Sequence, residues 1–154
     1  MVTRPLQLTD LPHLRGILDN TQNFTVEEVD VAMELLHECV DDPETSYRTL
    51  IIMDEAVRGY ICFGRTPMTD HTFDLYWIVV QAGQQGRGIG RKLYAAMEDA
   101  VRNDGGKLIR IETSSSEGYD ATQAFYGRLG FDELSRVRDF YRAGDDLITY
   151  IRYL

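Results

Sequence analysis

A glycine-rich turn between an apolar segment and an amphipathic one is the feature that most constrains this chain. Its residues are Gln85-Gly86-Arg87-Gly88-Ile89-Gly90-Arg91. The apolar and β-branched residues at 73–80 predict a buried strand before the turn. After the turn, apolar residues recur at helical spacing until Asn103-Asp104-Gly105-Gly106; they are Ile89, Leu93, Ala96, Met97 and Ala100. The sequence therefore predicts a strand, a tight turn and a helix in succession.

This arrangement is suited to binding a phosphate group. Glycines allow positive φ and a close backbone approach, and the free N–H groups at a helix start point at an anion together with the positive end of the helix dipole. Arg87, Arg91 and Lys92 add positive charge. Three glycines alone would equally suit a turn that binds nothing. A Walker A loop is excluded because the chain has no Gly-Lys-Ser/Thr, and the G-x-G-x-G spacing fits a dinucleotide fingerprint poorly.

The remaining segments alternate between strand and helix patterns. Strands are predicted at 2–8, 47–53, 57–64, 73–80, 107–113, 133–138 and 146–153, and helices at 11–19, 89–102 and 121–129. A further helix should open at Thr25, which forms a capping box with Glu28, and should end before Pro43. No repeat or linker divides the 154 residues, so we expect one domain over 1–154 with an α/β (α+β) mixed sheet flanked by helices.

Charge and composition exclude several classes of function. Sixteen Lys and Arg against 25 Asp and Glu give a net charge of -9, which disfavours nucleic acid and anionic membranes and suits an amine substrate. No apolar run approaches the length of a signal peptide or of a membrane span of about 20 residues, so we expect a cytoplasmic protein. Two cysteines, Cys39 and Cys62, and three scattered histidines predict no metal site.

Two motifs resemble those of the GNAT N-acetyltransferases. Gln-x-x-Gly-x-Gly at Gln85 to Gly90 is similar to motif A of that family, and the second motif, similar to motif B, is Ala124-Phe125-Tyr126-Gly127-Arg128-Leu129-Gly130-Phe131. The order of elements resembles the GNAT fold over essentially the whole chain. The resemblance implies a central, mostly antiparallel twisted sheet with a splayed strand pair and about four flanking helices. Tyr119 stands where many members carry Asn.

The resemblance also implies a donor, acetyl-coenzyme A, bound without metal. Its pyrophosphate would bind the turn at Gln85, Gly86, Arg87, Gly88, Ile89, Gly90 and Arg91. The backbone of Ile78, Val79 and Val80, on the splayed strand, would pair with the pantetheine arm. An N–H near Ile78 would then stabilise charge developing on the thioester oxygen. The side chains of the same strand are expected to be core.

Three residues are candidates for proton transfer. The resemblance implies that Tyr126 protonates the departing thiolate, although a tyrosine here could simply pack beside Phe125. A primary amine with a pKa near 10 must lose a proton before attack. Asp74, eleven residues before Gln85, matches the position of the catalytic glutamate of the histone-acetyltransferase branch, and Glu112 lies on the neighbouring predicted strand. Asp74, Glu112 and water therefore all remain open as proton acceptors.

The sequence leaves the acceptor unidentified. The resemblance places the acceptor cleft at 19–31 and 138–141, with candidate contacts from Phe24, Asp139, Phe140 and Tyr141. We expect direct acetyl transfer to a primary amine, either a small molecule or a peptidyl amine, in a ternary complex; a non-catalytic acetyl-coenzyme A sensor is the alternative. An acyl-cysteine at Cys62 is disfavoured because no histidine lies nearby in sequence. Homodimers are common in the family, so a homodimer stays open.

Overall fold

A computed structural model describes residues 1–22, 24–116 and 118–154. Within these ranges the chain forms seven strands, β1 (Val2–Pro5), β2 (Tyr47–Met53), β3 (Val57–Arg65), β4 (Thr72–Val80), β5 (Leu108–Ser114), β6 (Asp132–Arg142) and β7 (Asp145–Tyr153). The α-helices are α1 (Leu11–Asp19), α2 (Val26–Asp41), α3 (Ile89–Asn103) and α4 (Tyr119–Arg128), and a short 3-10 helix spans Leu8–Asp10.

All seven strands belong to one sheet in the order β1-β2-β3-β4-β5-β7-β6. Only the β4–β5 pair is parallel among the six described pairs; the other five are antiparallel. The mixed, mostly antiparallel sheet with flanking helices confirms the fold class predicted from the sequence.

The central strands are buried on both faces, because alternate residues of a strand point to opposite faces and helices cover both. On β2 and β3, Ile51 and Tyr60 pack with the buried residues of α1 and α2. Their neighbours Ile52 and Ile61 pack on the other face with the buried residues of α3 and α4. The helices therefore cover opposite faces in pairs, and the last strand, β6, is exposed along its whole length.

Helix starts and strand ends follow local hydrogen bonding. The predicted capping box forms: Glu28 N donates to Thr25 Oγ1 at 3.1 Å, and Thr25 N donates to Glu28 Oε2 at 2.7 Å. β1 ends at Pro5, short of the predicted end, because a 3-10 turn begins at Leu8, where Gln7 N donates a hydrogen bond to Asp10 Oδ2. In addition, α4 begins two residues earlier than predicted and β6 runs four residues further.

One extra residue in β4 changes the direction of the strand. Cys62 of β3 lies opposite Trp77, but the next residue, Phe63, lies opposite Leu75, so Tyr76 has no partner in the register. Such a bulge bends its strand and exchanges the faces of the residues that follow. Accordingly, Phe73 and Leu75 belong to the α3–α4 core before the bulge, whereas even-numbered Ile78 and Val80 pack against that core after it.

Candidate active site at the strand splay

The strands β4 and β5 separate just before the bulge. Their parallel register covers three pairs, the last of which is Asp74 with Arg110. Beyond it, β4 stays paired with β3 up to Val80, and β5 stays paired with β7 up to Ser114. One backbone edge of β4 therefore faces no strand of the described chain from Leu75 onward. Val80 O at its end accepts a hydrogen bond from Gln85 Nε2 at 3.4 Å, and the N–H and C=O groups before it are available to pair with a ligand.

The glycine turn leads from this open edge into α3. Gly86 and Gly88 have φ of 78° and 75°, in the left-handed region where an L side chain is strained. The first helical hydrogen bond runs from Lys92 N to Gly88 O at 3.0 Å. Helix geometry consequently leaves the N–H groups of the residues from Ile89 to Arg91 without intrahelical partners, as an anion site requires.

Side chains of the turn hold its shape. Gly83 N donates to Gln85 Oε1 at 2.9 Å, so the Gln85 amide closes the loop on itself. Arg87 Nη1 donates to Gln84 Oε1 at 3.1 Å, and Arg87 is exposed. The sequence-predicted residues of the turn thus divide into two groups, since Arg87 supports the turn from outside while the others face a cavity.

A cavity of about 620 Å³ lies between the turn, β4 and α4. It is lined by nine of the ten predicted coenzyme-binding residues, namely Ile78, Val79, Val80, Gln85, Gly86, Gly88, Ile89, Gly90 and Arg91. Further lining residues come from α4 on one face of the sheet, Phe125 and Tyr126 among them, and from the segment after α1 on the other face, Thr21 and Phe24. The cavity therefore passes through the sheet at the splay.

Tyr126 is the candidate acid that lines this cavity. Its side chain is 7% exposed, and its ring packs on Phe125, Phe131 and Tyr150 with centroids 5.4, 5.7 and 5.4 Å away. Burial raises the pKa of Tyr126 to about 12. The phenol therefore stays protonated at neutral pH, as a proton donor must.

The two candidate bases have different surroundings, and neither lines the cavity. Asp74 is ion-paired with Arg110, Nε to Oδ1 at 2.7 Å, and accepts a hydrogen bond from Thr66 Oγ1 at 2.7 Å. Glu112 is 49% exposed and lies 3.7 Å from Arg110 Nη1. Ile109 and Ile111 lie in the α3–α4 core, so alternation directs Glu112 to the opposite, open face of β5. Glu112 is thus the freer carboxylate of the two.

Cys62 and Tyr119 do not line the cavity. Cys62 is 1% exposed beneath α2, and contact with the Cys39 thiol together with burial raises its pKa, which makes it a poor nucleophile. Tyr119, at the position where Asn is common in the resembling family, donates to Glu133 Oε2 at 2.9 Å and accepts from Arg136 Nη2 at 2.7 Å. Its hydroxyl therefore ties α4 to β6.

The predicted acceptor residues divide between two places. Phe24 lines the cavity and packs edge-on against Trp77, 5.3 Å between centroids. Asp139, Phe140 and Tyr141 lie outside the lining, on the exposed strand β6. Asp139 has φ of 53°, and its Oδ1 accepts a hydrogen bond from Gly144 N at 2.7 Å. Thr21, within the predicted acceptor segment 19–31, also lines the cavity, as does Thr122, which was not predicted because no pattern singles out a threonine near a helix start.

Comparison with known families agrees with the geometry. The family model described as acetyltransferase (GNAT) family matches residues 14–131, which is more than half of the chain. The chain belongs to the GNAT acetyltransferase family. The assignment made from the two motifs is therefore confirmed.

Among other members of the family, two curated relatives are N-alpha-acetyltransferases. The chain is 38% identical over 69 residues to N-alpha-acetyltransferase 30 of Schizosaccharomyces pombe, covering 45% of each protein. It is 34% identical over 95 residues to N-alpha-acetyltransferase RimI of Mycobacterium tuberculosis, covering 61% of this chain and 56% of the relative. The matched regions thus span about half the length of these curated relatives.

Solved GNAT structures resemble the whole chain. A crystal structure assigned to the GNAT family from Desulfovibrio desulfuricans has 39% identity and a TM-score of 0.93, with 99% of this chain and 98% of that chain covered. An aminoglycoside 6'-N-acetyltransferase complexed with coenzyme A shares the fold at 16% identity and a TM-score of 0.78, with 99% of this chain and 97% of that chain covered. A Salmonella typhimurium protein solved with acetyl-CoA shares the fold at 21% identity and a TM-score of 0.77, with 100% of this chain and 94% of that chain covered.

Two further observations concern the ranges 1–22, 24–116 and 118–154 alone. None of their helices has the length and apolar character to cross a membrane. These ranges also contain no group of three or more His, Cys, Asp or Glu residues that could hold a metal ion.

Proposed function

We propose that this GNAT protein transfers the acetyl group of acetyl-CoA to a primary amine. The observation that carries the proposal is one cavity shared by the open edge of β4, the left-handed glycine turn and the Tyr126 side chain. A phosphate site, a free strand edge and a buried proton donor in one cavity match the three parts of an acetyl-thioester donor: pyrophosphate, pantetheine amides and thiolate leaving group.

The donor would lie along the cavity. The pyrophosphate would accept hydrogen bonds from the backbone N–H groups at 89–91, with Arg91 adding charge. The amides of the pantetheine arm would pair with the free edge of β4 near Ile78 and Val80. A backbone N–H of this edge is preorganised to stabilise negative charge on the thioester oxygen during attack.

Tyr126 would donate its proton to the departing sulfur. As the amine nitrogen bonds to the acetyl carbon and the carbon–sulfur bond breaks, the thiolate would receive the phenolic proton. The nitrogen would then lose one proton to become the amide, and that proton would restore the Tyr126 phenol. The pKa of Tyr126, about 12, exceeds that of an ordinary thiol near 8.5, so this transfer requires close positioning. The three aromatic rings around Tyr126 provide that positioning.

Glu112 would accept the proton from the acceptor ammonium. Its carboxylate is half-exposed on the open face of β5, whereas both oxygens of Asp74 are engaged by Arg110. Arg110 and Thr66 therefore occupy the oxygens with which Asp74 would reach an acceptor, whereas Glu112 is open to solvent. We therefore assign general base catalysis to Glu112 and a supporting role to Asp74.

We propose a peptide amino terminus as the acceptor. Two relatives are N-alpha-acetyltransferases, and the sheet face over β5, β7 and β6 is free of α1 and α2, which pack against β2 to β4. At pH 7.5 an α-amino group with a pKa near 7.8 is about one third neutral, whereas a lysine side chain is about one thousandth neutral. A half-exposed carboxylate is sufficient to deprotonate a peptide amino terminus, but it is poorly suited to deprotonating a lysine side chain.

Calorimetry and a thiol-release assay together test this function. The acceptors are an alanine-initiated peptide containing one lysine, the same peptide with a formylated amino terminus, spermidine and an aminoglycoside. We expect acetyl-CoA binding, thiol release with the free peptide only, and the acetyl group on its first residue by fragmentation mass spectrometry.

Each other outcome has a definite meaning. Release with spermidine or the aminoglycoside alone would refute the peptide acceptor and keep the transfer. Binding without release to any amine would support the sensor alternative, and absence of binding would refute both functions.

A further inference from the structure

A cluster of charged side chains joins β4 to β5 at their last paired position. Arg110 makes two contacts with Asp74, from Nε to Oδ1 at 2.7 Å and from Nη2 to Oδ2 at 3.2 Å. Thr66 Oγ1 donates to the same Oδ2 at 2.7 Å. The Asp74 side chain is only 12% exposed. The ion pair is therefore a fixed part of the sheet at the point where the strands separate.

The double contact fixes the direction of the third guanidinium nitrogen. Guanidinium is planar, so engaging Nε and Nη2 leaves no freedom to rotate Nη1. Nη1 lies 3.7 Å from Glu112 Oε1. In the part of the chain that the structure describes, Arg110 is the one cation within ion-pair distance of Glu112.

We propose that Arg110 is a positioning residue for the acetyl transfer, oriented by Asp74 so that it holds the Glu112 carboxylate at the splay. A half-exposed glutamate otherwise samples several rotamers. With one oxygen held toward Arg110, the other stays available for the proton of the acceptor ammonium. This inference rests on the function proposed above, and it gives the buried Asp74 a role that does not include proton transfer.

Acidic groups surround this arrangement from the neighbouring strands. Burial and then the Asp74 charge raise the pKa of Tyr76 to about 12 on β4. On β6, burial followed by the charges of Glu112 and Asp145 raises the pKa of Tyr141. Asp145 is itself paired with Arg142, so Arg110 is the cation that faces Asp74 and Glu112.

Two readouts of Arg110→Gln test the proposal. The first is the split between kcat and KM for the fastest amine of the panel above. The second is independent of turnover: mass spectrometry follows the rate at which carbodiimide labels Glu112 at one fixed pH. We expect kcat to fall roughly ten-fold with the KM for acetyl-CoA nearly unchanged. We also expect Glu112 to be labelled about two-fold faster, because a carboxylate released from an exposed ion pair is more accessible to the reagent.

Matched variants separate charge from orientation. Arg110→Lys keeps the charge without the fork, so the labelling rate of Glu112 should stay near that of the wild type while kcat falls. Asp74→Asn should lower kcat in the same way. Arg102→Gln, which removes an exposed ion pair with Glu98 on α3, should change neither readout.

The proposal is overturned if kcat and the labelling rate of Glu112 are both unchanged in Arg110→Gln. It is also overturned if Arg110→Gln lowers kcat/KM by the same factor in a Glu112→Gln background, since the effect would then not pass through Glu112. If the wild-type protein releases no thiol with any amine, the proposed function fails, while the labelling rate still decides whether Arg110 controls Glu112.

Discussion

Replacing Tyr126 with phenylalanine separates catalysis from packing at this site. The substitution keeps the three ring contacts and removes only the hydroxyl. Burial alone raises the pKa of this hydroxyl, and the described residues supply it with no hydrogen-bond partner. The free energy of unfolding should therefore change by less than about 1 kcal/mol. A lost general acid typically costs about 100-fold in rate, which corresponds to about 2.7 kcal/mol in the barrier.

Tyr150→Phe is the matched control. Tyr150 is 2% exposed and its ring packs on Tyr126, but it does not line the cavity. Its buried hydroxyl lies near Tyr119 without a hydrogen bond of ordinary geometry in the described chain, so removing it should change the free energy of unfolding by less than about 1 kcal/mol.

Steady-state thiol release gives kcat, calorimetry gives the acetyl-CoA Kd, and urea denaturation gives stability. We expect kcat to fall about 100-fold in Tyr126→Phe alone, with Kd within about two-fold of wild type in both variants. Equal turnover in the two variants would refute the acid role.

Three further predictions concern the base, the turn and the core. Glu112→Gln should lower kcat/KM about 100-fold in the thiol-release assay, as the loss of a general base does. Asp74→Asn should cost about 2 kcal/mol in urea denaturation because it leaves a partly buried arginine unpaired. Gly88→Ala should cost about 1–2 kcal/mol through its positive φ alone and weaken acetyl-CoA binding in calorimetry, while Gly16→Ala, in helix α1 with equal space, should be neutral or stabilising. Burial raises the pKa of Tyr126 to about 12, above the unfolded value near 10. The contribution of the buried phenol to stability is therefore complete below pH 10 and is lost as pH rises toward 12. Urea denaturation at pH 9, 10 and 11 should show this decline in the free energy of unfolding, and the decline should be less steep in Tyr126→Phe.

The donor half of the site was predictable because its determinants are close together in sequence. The strand at 73–80, the glycines and the start of α3 form one continuous segment, so hydrophobic periodicity and backbone freedom locate them without tertiary information. The motif around Tyr126 could be placed by resemblance for the same reason, since Phe125, Tyr126 and Phe131 share one short helix and its end. The structure places all three against the same core.

The charge arrangement could not be predicted because it depends on strand register. Asp74 and Arg110 are 36 residues apart, and nothing in either segment specifies that they become opposite partners in a parallel pair. The bulge at Tyr76 has no local signal either, since tyrosine suits an ordinary strand position. Without the register, Asp74 and Glu112 are two equivalent strand carboxylates, and only their contacts with Arg110 separate them.

A crystal structure of the complex with acetyl-CoA tests the central claim most directly. The pyrophosphate should lie on the N–H groups at 89–91, the pantetheine arm should pair with β4 from Ile78 to Val80, and the sulfur should lie within hydrogen-bond distance of the Tyr126 hydroxyl. A coenzyme bound outside this cavity, or strands β4 and β5 paired continuously beyond Asp74 and Arg110, would contradict the account.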